Sequence, residues 1–179
     1  MNWKIDHKHS IVEFTARHMM FTKVRGRFDE FEGTINFDPS DLTNTTVNVE
    51  IETASIKTND DGRDEHLRSA DFLQVEAYPT MKFASKRVEQ KDDKHGKLIG
   101  DLTIRDETRQ VSLDIEYYGL QEDPWGNTRA VFSGSTTINR KEWGLTWNVA
   151  LEAGGFLVSD KLDIDIEIQL VQETEAVPA

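Results

Sequence analysis

Cysteine is absent from this 179-residue chain. That excludes disulfides, thiolate nucleophiles and cysteine-ligated zinc. Proline is scarce at four residues and glycine moderate at 11, so no long linker or low-complexity segment is expected. No stretch reaches the roughly 18 consecutive apolar residues that a membrane-spanning helix needs. Positive charge is also short: 21 Lys and Arg face 33 Asp and Glu, for a formal net charge of −12. Such a balance opposes non-specific adhesion to nucleic acid or to an anionic membrane, both of which select basic surfaces. There is no repeat of solenoid length and no Gly-rich phosphate loop. The chain opens on Met1-Asn2-Trp3-Lys4 and enters patterned sequence without an apolar signal region, so a cytoplasmic location is the expectation.

What the chain does have is a period of two. Leu162, Ile164, Ile166, Ile168 and Leu170 alternate with Asp163, Asp165, Glu167 and Gln169, and Val111, Leu113, Ile115 and Tyr117 alternate with polar neighbours. Strict alternation marks strands with one dry and one wet face. The same reading places strands near 10–18, 24–37, 45–56, 80–90, 98–104 and 128–138. Within 24–37 the apolar phase slips by one residue near Asp29-Glu30, which predicts a β-bulge and a bend. Asn59–Glu65 supplies a capping residue and first-turn acids, and Leu67, Ala70 and Leu73 follow at three-residue spacing, predicting a short helix. A second short turn is expected at Arg140–Trp143. Eight or so strands with almost no helix fit a sandwich or a closed barrel, and glycines on dry faces (Gly26, Gly33, Gly100, Gly134) mark either space inside or bends.

Candidate chemistry is thin. His7-x-His9 shares one face of an extended segment, and with His18 from a neighbouring strand three imidazoles would suit zinc. His66 lies near Asp71 and Ser69, but Ser69 lacks the strained turn of a nucleophile, and a hydrogen-bonded network tying helix to barrel is the simpler reading. No calcium loop of EF-hand spacing and no singled-out carboxylate pair is present. The aromatics Phe14, Phe28, Phe83 and Phe132 sit on strand faces that point inwards if the barrel closes, and Trp143 and Trp147 flank Gly144-Leu145-Thr146.

Several blocks in order then carry a resemblance along nearly the whole chain. They are Trp3-x-Ile5-Asp6-x-x-His9-Ser10, Val24–Phe28, Ser55–Thr58, Arg63-Asp64-x-His66-Leu67-x-Ser69-x-Asp71-Phe72, Gly100–Ile104, Ile138–Arg140, Gly144–Asn148 and Gly154–Asp160. Together they resemble the YceI-like, or polyisoprenoid-binding, family. The resemblance implies an all-β, lipocalin-like, eight-stranded antiparallel barrel with one short helix in a long inter-strand connection. It further implies an elongated apolar pocket for a polyisoprenoid, a quinone tail or another long-chain amphiphile, without catalysis or cofactor, and in some members a homodimer. By carry-over, His9, Arg63, Asp64, His66, Asp71, Arg140 and Trp143 take the family's marked positions, as structural pins or mouth residues.

On this reading residues 1–172 form the barrel and 173–179 a tail. Val12, Phe14, Phe28, Phe83, Leu102, Leu113 and Phe132 line the pocket, with Arg140, Trp143 and Trp147 at its mouth. Two departures from the family pattern stand out. Arg105-Asp106-Glu107 occupies a hairpin that often reads x-Gly-Val, with Asp106 suited to a left-handed turn position. Trp143 stands where Phe is usual, and would narrow the mouth if it points inwards. Two other readings remain open: a metal- or small-molecule-dependent enzyme or stress protein using His7, His9 and His18, and a filled barrel whose acidic surface binds a protein partner.

Overall fold

Alternating apolar residues assemble one antiparallel sheet in the computed structural model, which describes residues 2–173. Among the described residues there are eleven strands: β1 (Trp3–Ile5), β2 (Ile11–His18), β3 (Thr22–Phe28), β4 (Phe31–Asn36), β5 (Thr46–Glu52), β6 (Ile56–Lys57), β7 (Thr80–Gln90), β8 (His95–Ile104), β9 (Glu107–Glu122), β10 (Thr128–Asn139) and β11 (Lys161–Gln172). One α-helix, α1 (Asp61–Arg68), lies in the connection between β6 and β7. The strand order is β4-β5-β7-β8-β9-β10-β11-β2-β3-β6, with β1 added beside β11. β3 pairs with β2 near one end of this order, and β4 pairs with β5 at the other. Because β3 runs into β4 through Asp29 and Glu30 alone, the curled sheet is joined end to end by one bent strand. Counting β3 and β4 as that single strand, and setting aside the two- and three-residue strands β6 and β1, leaves the eight expected.

The bend falls where the apolar phase slips. Arg27 and Phe28 pair with Lys57 and Ile56, whereas Phe31 pairs with Ile51. Asp29 N donates to Ser55 O at 3.3 Å and Glu52 N to Glu30 O at 2.9 Å, so the backbone groups at the irregularity remain satisfied. Elsewhere the sequence reading needs adjustment. α1 ends at Arg68 rather than near Leu73, because Ser69 Oγ turns back to His66 O at 2.6 Å and the chain leaves the helix. In the β8–β9 hairpin the left-handed residue is Arg105 (φ 57°), not Asp106. Its guanidinium lies over the Tyr78 ring at 5.8 Å. The tail proposed for 173–179 lies, beyond Glu173, outside the described residues.

The interior has two apolar clusters. The larger gathers Phe28, Phe31, Ile51, Met81, Phe83, Leu98, Val111 and Leu113 with their neighbours. The smaller, of Trp3, Phe37, Ala130 and Leu170 with Tyr117 and Phe132 packed on it, plugs one end of the barrel. Its rings meet edge to face or stacked, with Phe37 at 5.1 Å from Phe132 and Tyr117 at 4.9 Å from Phe132.

An ionic clasp ties that plugged end together. Asp6 accepts from Lys8 N at 3.1 Å and from His9 Nδ1 at 2.7 Å, and it meets the Arg129 guanidinium, whose Nε donates to Asp123 at 2.9 Å. Burial alone would raise the Asp6 pKa, but Arg129 and His9 outweigh it and hold the carboxyl at about 2. A carboxyl depressed in the folded state stabilises the protein above its unfolded value and loses that contribution as pH falls through its folded value. Asp6→Asn should therefore cost roughly 1–2 kcal/mol above pH ~5, with the difference from wild type closing between about pH 4 and pH 2. Urea denaturation across that range checks it, and a pH-independent difference would remove the clasp from the account.

Candidate ligand-binding chamber

Residues pointing inwards from a barrel wall should be buried by one another, yet here they are not all so. Leu162, Ile164, Ile166 and Ile168 of β11, with Val12, Phe14 and Ala16 of β2, face the interior and are only half-buried. Across the barrel Met81, Phe83, Leu98, Val111 and Leu113 are buried. The unfilled volume lies against the β11–β2 wall, as a chamber of about 480 Å³ whose lining is almost wholly apolar.

The glycines on inward faces act differently from one another. A Cβ on Gly26 would stand 2.2 Å from Cζ of Phe14, and one on Gly100 would stand 2.6 Å from Cζ of Phe83. Both glycines thus let an aromatic ring lie flat on the wall. Gly33 instead allows close approach of Asn48 O. Gly134 is the one whose side-chain direction meets the chamber. It pairs between Ile115 and Ile166, with the Ile115 Cδ1 methyl 2.9 Å from where a Cβ would sit and other atoms at 3.9 Å.

The aromatic plug floors the chamber with Tyr117 and Phe132, beside which the lining reaches Lys94 and His95. At the opposite end α1 (Arg63, His66) and the connection from β10 to β11 (Trp147, Val158) form its mouth. Two pins hold that mouth. On the α1 side, buried Asp64 accepts from Thr58 N at 2.8 Å and from its hydroxyl, while Arg63 donates to Thr58 O at 2.6 Å. On the other side Arg140, 2% exposed, donates from Nε to Ser159 O at 2.8 Å and from a terminal nitrogen to Leu145 O at 2.6 Å. Burial pushes the Arg140 pKa down, partly countered by Asp160. Asn148 closes the same loop on itself, donating to Val158 O at 2.7 Å and accepting from Val158 N at 3.0 Å.

His66 bridges the two sides. Its Nε2 lies 2.8 Å from Asp71 Oδ2, and its ring meets Trp147 edge to face at 4.5 Å. Ser69 Oγ is committed to the His66 carbonyl, so Ser69 is not poised as a nucleophile on the imidazole.

The structure places Val12, Phe14, Phe28, Phe83, Leu102 and Leu113 on the chamber wall, Phe132 on its floor and Trp147 at its mouth. Arg140 also borders the chamber, but with its guanidinium buried and bound to the carbonyls of Ser159, Leu145 and Val158 it acts as a pin. Trp143 is a correction. It is 1% exposed, lies off the chamber, and donates from Nε1 to Leu102 O at 2.9 Å, so it locks the 140–143 turn to β8 instead of narrowing the mouth. The imidazole cluster is another. His7 packs against Phe31 and His9 against Asp6 at the plugged end, whereas His18 lies at the far end of the eight-residue β2. Among the described residues no group of three or more His, Asp or Glu side chains is placed to hold a metal. Sequence reasoning missed the β11 face as lining, although its five-fold alternation was the plainest signal in the chain. It also missed Leu145, Leu157 and Val158, which line from a connection with no period to read.

A family model described as a YceI-like domain matches residues 3–170. The chain belongs to the YceI-like family. A UPF0312 protein of Pseudomonas savastanoi pv. phaseolicola is 35% identical over 166 residues, covering 93% of this chain and 83% of that protein. The crystal structure of the Campylobacter jejuni YCEI protein superposes with a TM-score of 0.76 at 29% identity, covering 88% of this chain and 90% of that one. A polyisoprenoid binding domain from Saccharophagus degradans superposes with a TM-score of 0.73 at 12% identity, covering 97% and 99%, a likeness of fold. Within this YceI-like protein the motif residues Arg63, Asp64, His66 and Arg140 thus frame the chamber mouth by hydrogen bonding to neighbouring backbone and side chains.

Proposed function

We propose that this protein binds a long-chain amphiphile, such as a polyisoprenoid or an isoprenoid quinone, inside the barrel and carries or stores it without transforming it. The observation that carries this reading is the half-buried inward face of β11 and β2. Apolar side chains face an interior void of about 480 Å³, a size typical of ligand chambers, where a filled core would have buried them. An elongated apolar ligand would complete that burial, with the polar end left near His66 and Arg63 at the mouth. The void supports this reading over the filled interaction module. Membership of the YceI-like family and the fold shared with a polyisoprenoid binding domain support it.

Burial of chain in such a chamber is worth about 0.8 kcal/mol per methylene before ordering costs. Affinity for a homologous series of fluorescent n-alkyl alcohols should therefore climb about fourfold per added methylene and then level off once the chamber is full. Titration by fluorescence measures it. Affinity independent of chain length would reject the apolar chamber as the binding site. Native mass spectrometry of the purified protein, followed by organic extraction, would identify the occupant directly.

A further inference from the structure

The β2–β3 hairpin carries a sequence that its own turn does not favour. Phe21 N donates to His18 O at 3.2 Å, and the two central residues, Met19 and Met20, have φ of 51° and 69°. Two successive left-handed residues make the hairpin turn that Asn-Gly serves best, and a bulky L side chain at either position is strained. Local stability would thus select small polar residues at an exposed tip. Instead the tip reads Met19-Met20-Phe21, and Phe21 is 83% exposed.

The apolar surface extends beyond the tip. Met19 N donates to Leu157 O at 2.8 Å, His18 bridges Val158, and Met20 Sδ lies against Gly155. These contacts set exposed Phe156 and Val149 beside the hairpin. Leu157, Val158 and His18 also line the chamber, so the patch borders its mouth.

Charge on this corner runs against that of the whole molecule. No acid occurs between Glu13 and Asp29, while Arg17, Lys23, Arg25 and Arg27 all fall there. Arg27 is paired to Asp29, whereas Arg17, Lys23 and Arg25 have no carboxylate partner among the described residues. Lys23 and Arg25 are exposed and point outwards, opposite in phase to inward-facing Val24 and Gly26. The facing 144–160 connection contributes two acids, Glu152 and Asp160, and Asp160 is paired to Lys141 and Arg140.

An apolar tip ringed by unpaired cations, next to a lipid-sized chamber, matches the interface of an anionic bilayer. We infer that the Met19-Met20-Phe21 hairpin, flanked by Arg17, Lys23 and Arg25, docks the chamber mouth on an anionic phospholipid surface, where ligand exchanges between bilayer and barrel. Cations act at such a surface within a Debye length, and the apolar tip enters the headgroup boundary. The remaining surface, which carries the excess of the net charge of −12, is repelled and so turns the mouth towards the membrane. The exchange step rests on the proposed lipid-binding role, whereas docking itself does not.

Sedimentation with vesicles of equimolar phosphatidylcholine and phosphatidylglycerol tests the docking. Wild type should bind these vesicles and release them as salt rises, with little binding to phosphatidylcholine alone. The triple variant Met19→Asn, Met20→Gly, Phe21→Ser suits the turn and should fold at least as well, yet lose vesicle affinity by about tenfold or more. Lys23→Gln and Arg25→Gln should each lower it by roughly fivefold on the anionic vesicles only.

Uptake of a fluorescent farnesol analogue from solution should survive in the triple variant, whereas its transfer from vesicles should slow. Vesicle binding without any solution uptake would uphold the docking surface and overturn the proposed ligand role. Failure of wild type to bind, or full binding by the triple variant, overturns the inference. So does a concentration-dependent dimer that the triple variant abolishes, which would assign the patch to a second copy of the chain.

Discussion

Arg140→Leu is expected to destabilise the fold by about 3–5 kcal/mol, the largest effect of any single substitution at the mouth. The side chain is 2% exposed and its donors are spent on the carbonyls of Ser159 and Leu145, with Val158 O at 3.5 Å and Asp160 at 3.9 Å beyond. Leucine fills much of the space but strips the buried Leu145 carbonyl and the part-buried Ser159 carbonyl of their Arg140 donors, while Val158 O keeps Asn148, and that desolvation penalty is the dominant loss. Lysine restores one charge and three donors without the planar fork that spans two carbonyls, so Arg140→Lys should recover only part of the loss. For a chain of this length the drop corresponds to roughly 10 °C in Tm. Urea unfolding monitored by tryptophan fluorescence measures both variants. A cost below about 1 kcal/mol for Arg140→Leu would show that the 144–160 connection is held by Asn148 alone and that Arg140 is no pin.

That expectation depends on geometry the chain order does not display, and it marks the border of what was legible. The strands were readable because a sheet with one dry face writes a period of two into its residues, and β11 does so over Leu162–Leu170 without a break. The bend that closes the barrel was readable for the same reason, as a phase slip at Asp29-Glu30. β1 and β6 were not, since three residues and two residues cannot establish a period. The mouth was legible only as motif positions. Arg63, Asp64, His66 and Arg140 were visible as a pattern, but their partners are mostly backbone groups, and every residue carries the same carbonyl. Trp143 shows the cost. Its bulk suggested a role in the pocket, while its indole is fixed by a hydrogen bond to Leu102 O that no residue identity announces. The metal reading failed on distance along a strand: His7 and His9 lie at one end of β2 and His18 at the other.

Gly134→Phe should abolish uptake of a long-chain probe while leaving the fold intact, an expected loss of affinity of about 100-fold or more. Gly134 sits mid-strand in β10 between Ile115 and Ile166, and its missing side chain is what leaves the wall open to the chamber there. The closest atom to a new Cβ, at 2.9 Å, is the terminal methyl of Ile115, the movable end of a flexible side chain. A phenyl ring can therefore enter the void instead of a packed core, and overpacking strain of the usual 1–3 kcal/mol is offset by better strand propensity and by burial of the half-buried Ile166. Thermal unfolding should consequently move by only a few degrees. Gly33→Phe is the matched control. There a Cβ would meet the Asn48 carbonyl and the Val49 Cα, backbone that cannot swing aside, so that variant should lose stability first and binding only as a consequence. Fluorescence titration of the folded Gly134→Phe protein decides the matter. Retained stoichiometric uptake would place the ligand outside the chamber, whereas loss of uptake with the fold preserved ties binding to the one inward glycine whose Cβ direction opens on that void.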